Sequence, residues 1–230
     1  MISSTSPVVD VSEVLIPAGT PLLFDMDGTL VDNMVVHHRA WQEHLKELGL
    51  TLSMDEIKAT IWGKNEDIYE RIFPGRFTLH QMRELGEKKE LRYVELYTPE
   101  IAFLPGLEDF LTAAKEVGCP MAIATAAPKV CVDFVSHALR LGRFFTTIID
   151  ADQVQRSKPF PDPYLAAARA LGASLERCIV FEDAPVGVRS AEAAGMRSYV
   201  LLTTHQRHEF ASFPKVLGYL ADFSRVKIAN

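Results

Sequence analysis

From Pro105 onward, short apolar runs alternate with amphipathic segments of helical length, and this alternation restricts the fold more than any other feature of the chain. The runs are Met121-Ala122-Ile123-Ala124-Thr125, Phe145 to Ile149, Cys178 to Phe181 and Tyr199 to Leu202, and helical periodicity covers 107–117, about 129–141, 162–171 and 186–194. An apolar run without a polar face is a strand buried on both sides. Strands that alternate with helices of this length form βαβ units around a parallel sheet. An earlier run, Leu22-Leu23-Phe24, has the same character and stops at Asp25-Met26-Asp27-Gly28-Thr29. The expected class is therefore α/β, with a Rossmann-like parallel-sheet core.

Residues 34–98 break the alternation with helix alone. Met34, His38, Trp41, Leu45 and Leu48 recur at spacings of four and three, one stripe of a helix that Asp32 or Asn33 can cap and Gly49 can end. Ser53-Met54-Asp55-Glu56 and Thr78-Leu79-His80-Gln81 have capping-box spacing and open two more helices, the second running to about Tyr97. Between them Trp62-Gly63-Lys64-Asn65 is a break, and Asn65 can cap a helix that ends near Pro74-Gly75. Consecutive helices without a strand predict a separate all-helical lobe, 34–103, inserted into a core made of 1–33 and 104–230. Trp41 reads as lobe core, and Glu87-Lys88-Lys89-Glu90 as a solvated helix face. Residues 1–19 either frame the first core strand or fray, and the last 20 residues pack at an edge.

Composition narrows the function. The formal charge is −6 over 230 residues, which argues against nucleic acid as the main partner. Cys119, Cys131 and Cys178 are far apart, an odd count without CxxC spacing, and read as buried thiols in a reducing compartment. The first Lys or Arg is Arg39 and no long apolar stretch precedes it, so a leader peptide is not expected. No apolar run approaches the roughly 18 residues of a bilayer span. A cytoplasmic protein, monomeric or a weak homodimer, is the expectation, with no membrane partner.

Polar and charged residues gather where the strands stop: Asp25 and Asp27, Thr125, Asp150 and Asp152 with Lys158 beyond, then Glu182 and Asp183. In an open parallel sheet the carboxyl ends form one edge, and ligands bind there. Crowded carboxylates stay ionised only with positive charge among them. Mg²⁺ suits them, a hard cation that takes oxygen ligands and keeps waters for a substrate phosphate. Lys158 and Thr125 add donors for an oxyanion, and a carboxylate nucleophile, a divalent ion and a lysine together are one way to transfer a phosphoryl group. Thr125 can instead cap the following helix. Asp150 and Asp152 read as loop caps or supporting groups.

These residues resemble a family. Asp25-Met26-Asp27-Gly28-Thr29 resembles the nucleophile motif of the haloacid dehalogenase superfamily, Thr125 its second motif, Lys158-Pro159-Phe160-Pro161-Asp162-Pro163-Tyr164 its third, and Phe181-Glu182-Asp183-Ala184-Pro185-Val186-Gly187 its fourth. The helical lobe is similar to the C1 cap of the β-phosphoglucomutase-like subfamily, with His37-His38-Arg39-Ala40-Trp41 in the first cap helix and Gly63 in the specificity loop.

The resemblance implies roles. Asp25 attacks phosphorus and becomes an aspartyl-phosphate; Asp27 protonates the leaving oxygen and then deprotonates the water. The Asp25 carboxylate, the Asp27 carbonyl and Asp183, with Glu182 beside it, hold Mg²⁺, while Thr125 and Lys158 hold phosphoryl oxygens. On the cap side His37, Gly63, Lys64 and Asn65 are candidate substrate residues. The presence of Asp27 favours phosphate esters or anhydrides. A mutase of this subfamily carries Ser and Lys after the second motif and an Arg in the cap loop; here stand Ala127, Pro128 and Glu66, with Lys129 shifted by one. The expectation is a phosphatase for a small phosphorylated metabolite, a sugar phosphate or pyrophosphate. A sugar phosphomutase and a non-catalytic phosphometabolite-binding protein remain the alternatives.

Overall fold

The structure, a computed structural model, describes residues 13–229. Strand β1 (Val14–Pro17) is followed by β2 (Leu22–Phe24), β3 (Met121–Ala124), β4 (Thr147–Ile149), β5 (Ile179–Glu182), β6 (Arg197–Leu201), β7 (Val216–Leu220) and β8 (Val226–Ala229). Six of them form one all-parallel sheet in the order β4-β3-β2-β5-β6-β7. The chain fills one side of β2 with β3 and β4, then returns to the other side with β5. The strand order thus reverses at β2, where a parallel sheet opens a crevice at its carboxyl end.

Burial explains the unbroken apolar runs. Leu22, Leu23 and Phe24 are inaccessible, and so are Ala122, Ile123 and Val180 on the neighbouring strands. One face of the sheet is aromatic: Phe24 stacks on Phe181 at 5.0 Å between ring centroids and meets Phe110, Phe145 and Phe223. On the other face Leu23, Ala122 and Val180 pack on Tyr164, Ala167 and Ala168.

Between β2 and β3 the chain forms α1 (Met34–Glu47), α2 (Met54–Thr60), α3 (Asn65–Ile72) and α4 (Leu79–Tyr97), with no strand among them. They share a hydrophobic cluster of their own built on Trp41, Leu45, Ile57, Ile68, Tyr69 and Met82, whereas Ala40, Tyr93 and Tyr97 belong to the cluster against the sheet. Then follow α5 (Leu107–Glu116), α6 (Lys129–Leu139), α7 (Asp162–Ala170) and α8 (Pro185–Ala193). No helix among the described residues is long and apolar enough to cross a membrane.

Both capping boxes form as the spacing predicts, Ser53 with Glu56 and Thr78 with Gln81. Two other expectations fail. Asn33 occupies the N-cap position of α1 but makes no cap hydrogen bond, and α3 begins at Asn65 with Lys64 at the N-cap position. Each asparagine side chain is instead committed to a partner elsewhere in the fold, described below. The run 87–90 is solvated only in its first half: Glu87 and Lys88 are exposed, whereas Lys89 and Glu90 are 2 % exposed, because α4 packs against both α1 and α6. The C-terminal segment supplies the edge strand β7 and then β8, which pairs in parallel with β1. Of the ambiguous segment 1–19, residues 1–12 lie outside the described residues. The three cysteines are buried and free.

Candidate active site

The register of the sheet brings the strand-end residues together. Phe24 lies opposite Ile123 on β3 and Phe181 on β5, so Asp25 is level with Ala124 and Glu182. The backbone N–H of Asp25 donates to the carbonyl of Phe181 at 3.0 Å. Lys158, from the loop after β4, reaches the same point: its Nζ donates to Asp25 Oδ1 and to Glu182 Oε1, each at 2.6 Å. Asp25, Lys158, Glu182, Asp183 and Thr125 are all buried.

Glu182 is held from four directions. Its Oε1 also accepts from Tyr164 Oη at 2.8 Å, and its Oε2 accepts the backbone N–H groups of Asp183 at 3.0 Å and Ala184 at 3.1 Å. Gly187 in the first turn of α8 makes room for it, since a Cβ there would fall 1.8 Å from Glu182 Oε1. The loop after Asp25 turns back at once. Gly28 has φ +75°, and a Cβ on it would lie 2.2 Å from Asp183 Oδ2 and 2.9 Å from Thr204 Oγ1. Only glycine allows the nucleophile-motif loop to pass this close to Asp183. Thr125 Oγ1 accepts the N–H of Ala127 at 3.0 Å, and the N-cap position of α6 belongs to Pro128, so Thr125 shapes the loop without capping the helix. Asp150 is a loop cap: its carboxylate accepts the N–H groups of Asp152 and Gln153.

The charges are in conflict. Burial, with Glu182 and Asp27 nearby, pushes the Asp25 carboxyl up to about 7 even though Lys158 opposes the shift. Burial, Glu182 and Asp25 push Asp183 well above the carboxylate range. Lys158 is raised despite its burial, because Asp25 and Glu182 stabilise its charge. Carboxylate oxygens of Asp25, Glu182 and Asp183 lie within 4.8 Å of one another. An all-oxygen donor set, buried and in surplus over its one lysine, suits a hard divalent cation.

Asp27 sits differently. Burial alone would raise its carboxyl, but His37 and Asn33 outweigh it and hold the group below its usual value. Asn33 Nδ2 donates to Asp27 Oδ1 at 2.6 Å and to Tyr93 Oη at 2.7 Å, while its Oδ1 accepts from Gly28 N at 3.3 Å. The His37 ring stacks on Tyr93 at 3.7 Å, and its Nε2 lies 3.6 Å from Asp27 Oδ1, too far for a hydrogen bond. Among the described residues that buried nitrogen has no hydrogen-bond partner. His38 is buried too, and its pKa is pushed down to about 4, chiefly by burial.

On the helical side Lys89 Nζ pairs with Glu90 Oε1 at 2.6 Å and lies 5.0 Å from the centre of the Trp41 ring. Glu90 Oε1 also accepts from Asn65 Nδ2 at 2.8 Å, and its Oε2 from Cys131 Sγ at 3.0 Å. Lys89 is close enough to Asp27 to lower its pKa. Gly63 is in the left-handed region with φ +88°, and Lys64 Nζ donates to the carbonyl of Ala151 at 2.7 Å. The structure thus gathers Asp25, Asp27, Lys158, Glu182 and Asp183, brings His37 to Asp27, and turns Lys64 and Asn65 toward protein partners. Tyr93 and Thr204 are neighbours that the sequence did not single out, and Asn33, Lys89 and Glu90 are ones it read only as a helix cap and a solvated face. Tyr164 stands inside the third motif and was visible there only as a letter of the pattern.

The family model of the haloacid dehalogenase-like hydrolases matches residues 22–195. Protein CbbY of Cereibacter sphaeroides is 34 % identical over 221 residues, covering 87 % of this chain and 92 % of that protein. Hexitol phosphatase A of Escherichia coli is 35 % identical over 174 residues, 75 % of this chain and 78 % of its own. The crystal structure of a CbbY mutant from Rhodobacter sphaeroides in complex with xylulose-(1,5)-bisphosphate superposes with TM-score 0.77 at 30 % identity, covering 91 % of this chain and 96 % of that one.

Proposed function

The chain belongs to the haloacid dehalogenase-like hydrolases, and from that membership we propose a Mg²⁺-dependent phosphatase that hydrolyses a small phosphorylated metabolite, a phosphorylated sugar or polyol, through an aspartyl-phosphate. The observation that carries this reading is the convergence at the end of β2. Lys158 bridges Asp25 and Glu182 there, and three carboxylates face one another within 4.8 Å. The relatives that share most of the chain include a hexitol phosphatase and a protein crystallised with a sugar bisphosphate.

In this reading residues 1–33 and 104–230 are the core, and 34–103 the cap that closes over the crevice and excludes water. Asp25, the Asp27 carbonyl and Asp183 hold the magnesium ion, with Glu182 beside them. The bound ion supplies positive charge that neutralises the phosphate and keeps the carboxylates ionised. A carboxylate oxygen of Asp25 attacks phosphorus, and the bond from phosphorus to the leaving oxygen breaks. Asp27 gives its proton to that oxygen, and the negative charge of an incoming phosphate works against the pull of His37 and Asn33 on its carboxyl. Once the alcohol has left, Asp27 is ionised and takes a proton from water as the water attacks phosphorus. This returns Asp25 and releases phosphate. Lys158 and Thr125 hold the transferring oxygens throughout, and Glu182 keeps Lys158 aimed.

Hydrolysis is favoured over transfer to a second hydroxyl by Lys129. It is the cation nearest in sequence to the second motif, and it is paired with Asp133 at 2.6 Å on an exposed helix face. The test is phosphate release from a panel of sugar, polyol and glycolytic phosphates and pyrophosphate. We expect turnover that is lost with a chelator, restored by Mg²⁺ and absent in Asp25→Asn. Conversion of β-glucose 1-phosphate to glucose 6-phosphate with little free phosphate would establish the mutase instead. Binding without turnover across the panel would establish the non-catalytic protein.

A further inference from the structure

Helix α3 begins with residues poorly placed for starting a helix. Lys64 holds its N-cap position with φ −72° and ψ 154°, and its side chain makes no capping hydrogen bond. That position favours a side-chain oxygen and faces the positive end of the helix dipole. An ammonium supplies neither the acceptor nor the right charge. Asn65, a good capping residue, stands one position too late, and its amide goes to Glu90.

Both side chains serve contacts away from their own helix. Lys64 Nζ donates to the carbonyl of Ala151 at 2.7 Å and reaches that of Val154 at 3.5 Å. Ala151 opens the short 3₁₀ turn after β4, next to the Asp150 and Gln153 capping box, and Val154 stands at its C-cap. The turn leads directly into the segment that carries Lys158. Gly63 supplies the left-handed backbone that precedes the lysine. A second tie crosses between the same two parts of the chain, from Cys131 on α6 to Glu90 on α4.

We propose that Lys64 is the clasp of the cap, a positioning residue that holds the helical lobe shut on the core through the carbonyls of Ala151 and Val154 and makes no contact with substrate. The inference rests on the cap reading given above. The clasp forms only with the lobe against the core. Closure thereby braces the turn that leads into the Lys158 segment, and the grip on the phosphoryl group is linked to the cap. Apparent substrate affinity scales with the fraction of molecules that are closed. Loss of a charge-assisted hydrogen bond of this kind lowers the closed-to-open ratio about tenfold.

The test replaces Lys64 by Met, which keeps the stem and removes the ammonium, and by Arg, which keeps a cation of similar reach. Spin labels on Glu70→Cys and Gln155→Cys, both exposed and on opposite sides of the contact, report the separation of lobe and core. The native cysteines are buried and leave the labels selective. In Lys64→Met we expect a longer and broader distance distribution, with the original one largely kept in Lys64→Arg. We also expect KM to rise severalfold, with about tenfold as the ceiling, for acetyl phosphate and for a hexose phosphate alike. An unchanged distance distribution overturns the clasp. So does a rise in KM confined to the hexose phosphate, which marks Lys64 as a substrate contact. If no variant and not the unmodified chain hydrolyses any phosphate, the proposed function fails, and the label distances alone decide the clasp.

Discussion

Lys158 lies 2.6 Å from two carboxylates at once, so its removal leaves Asp25 and Glu182 buried without a counter-charge. We expect Lys158→Ala to lower kcat by about 10²–10³, the loss typical of one preorganised donor, while far-ultraviolet circular dichroism keeps its folded signature. His38 gives a prediction about pH. Its folded pKa of about 4 lies below the ordinary 6.5, so the native state resists protonation that the unfolded chain accepts. The resulting stabilisation is complete above pH 6.5 and is lost as the pH falls from 6.5 toward 4. Urea titrations should show about 2–3 kcal/mol of stability disappearing across that window. In His38→Gln the slope should flatten; an unchanged slope contradicts the assignment. At this scale the sequence was informative wherever the chemistry sits at a strand end. Asp25, Thr125, Lys158 and Asp183 were legible because the strands themselves were. Asn33 and Tyr93 were not, because their hydrogen bond joins residues 60 positions apart.

Helix α4 shows why elements are read less evenly than residues. Its start was plain, since Thr78 and Gln81 satisfy each other within a single turn. Its polar run was misleading, since periodicity does not reveal that α6 covers the side bearing Glu90. The cap of α3 was misplaced for a related reason: Asn65 is the first residue of the helix and not its cap, and its amide Nδ2 donates across to Glu90 on α4. The buried pair of Lys89 and Glu90 can be tested as a unit. Truncating either partner leaves a charge uncompensated in the interior, at a cost of about 3–5 kcal/mol. We expect Lys89→Met and Glu90→Ala each to destabilise the protein on that scale in chemical denaturation, and the double variant to lose less than the sum. Additive losses contradict the coupling.

Over the whole molecule, the alternation of strands and helices was sufficient to identify a parallel sheet with a helical insertion. It was silent on the sequence-distant pairings. β8 joins β1 through Val226 and Val14, a contact that no local pattern announces. The ordering of the sheet matters most for function, because it puts the reversal at β2 and so places Asp25 between the end of β3, which Thr125 follows, and Glu182 at the end of β5. A nucleophile fixed at that point is the centre of the account. The most direct measurement stops the reaction with acid during steady turnover, reduces the protein with borohydride and maps the peptides by mass spectrometry. An acyl phosphate on Asp25 is reduced to homoserine, and the account predicts that conversion at position 25 alone, dependent on substrate. Homoserine at another aspartate, or none while phosphate is being released, would contradict it.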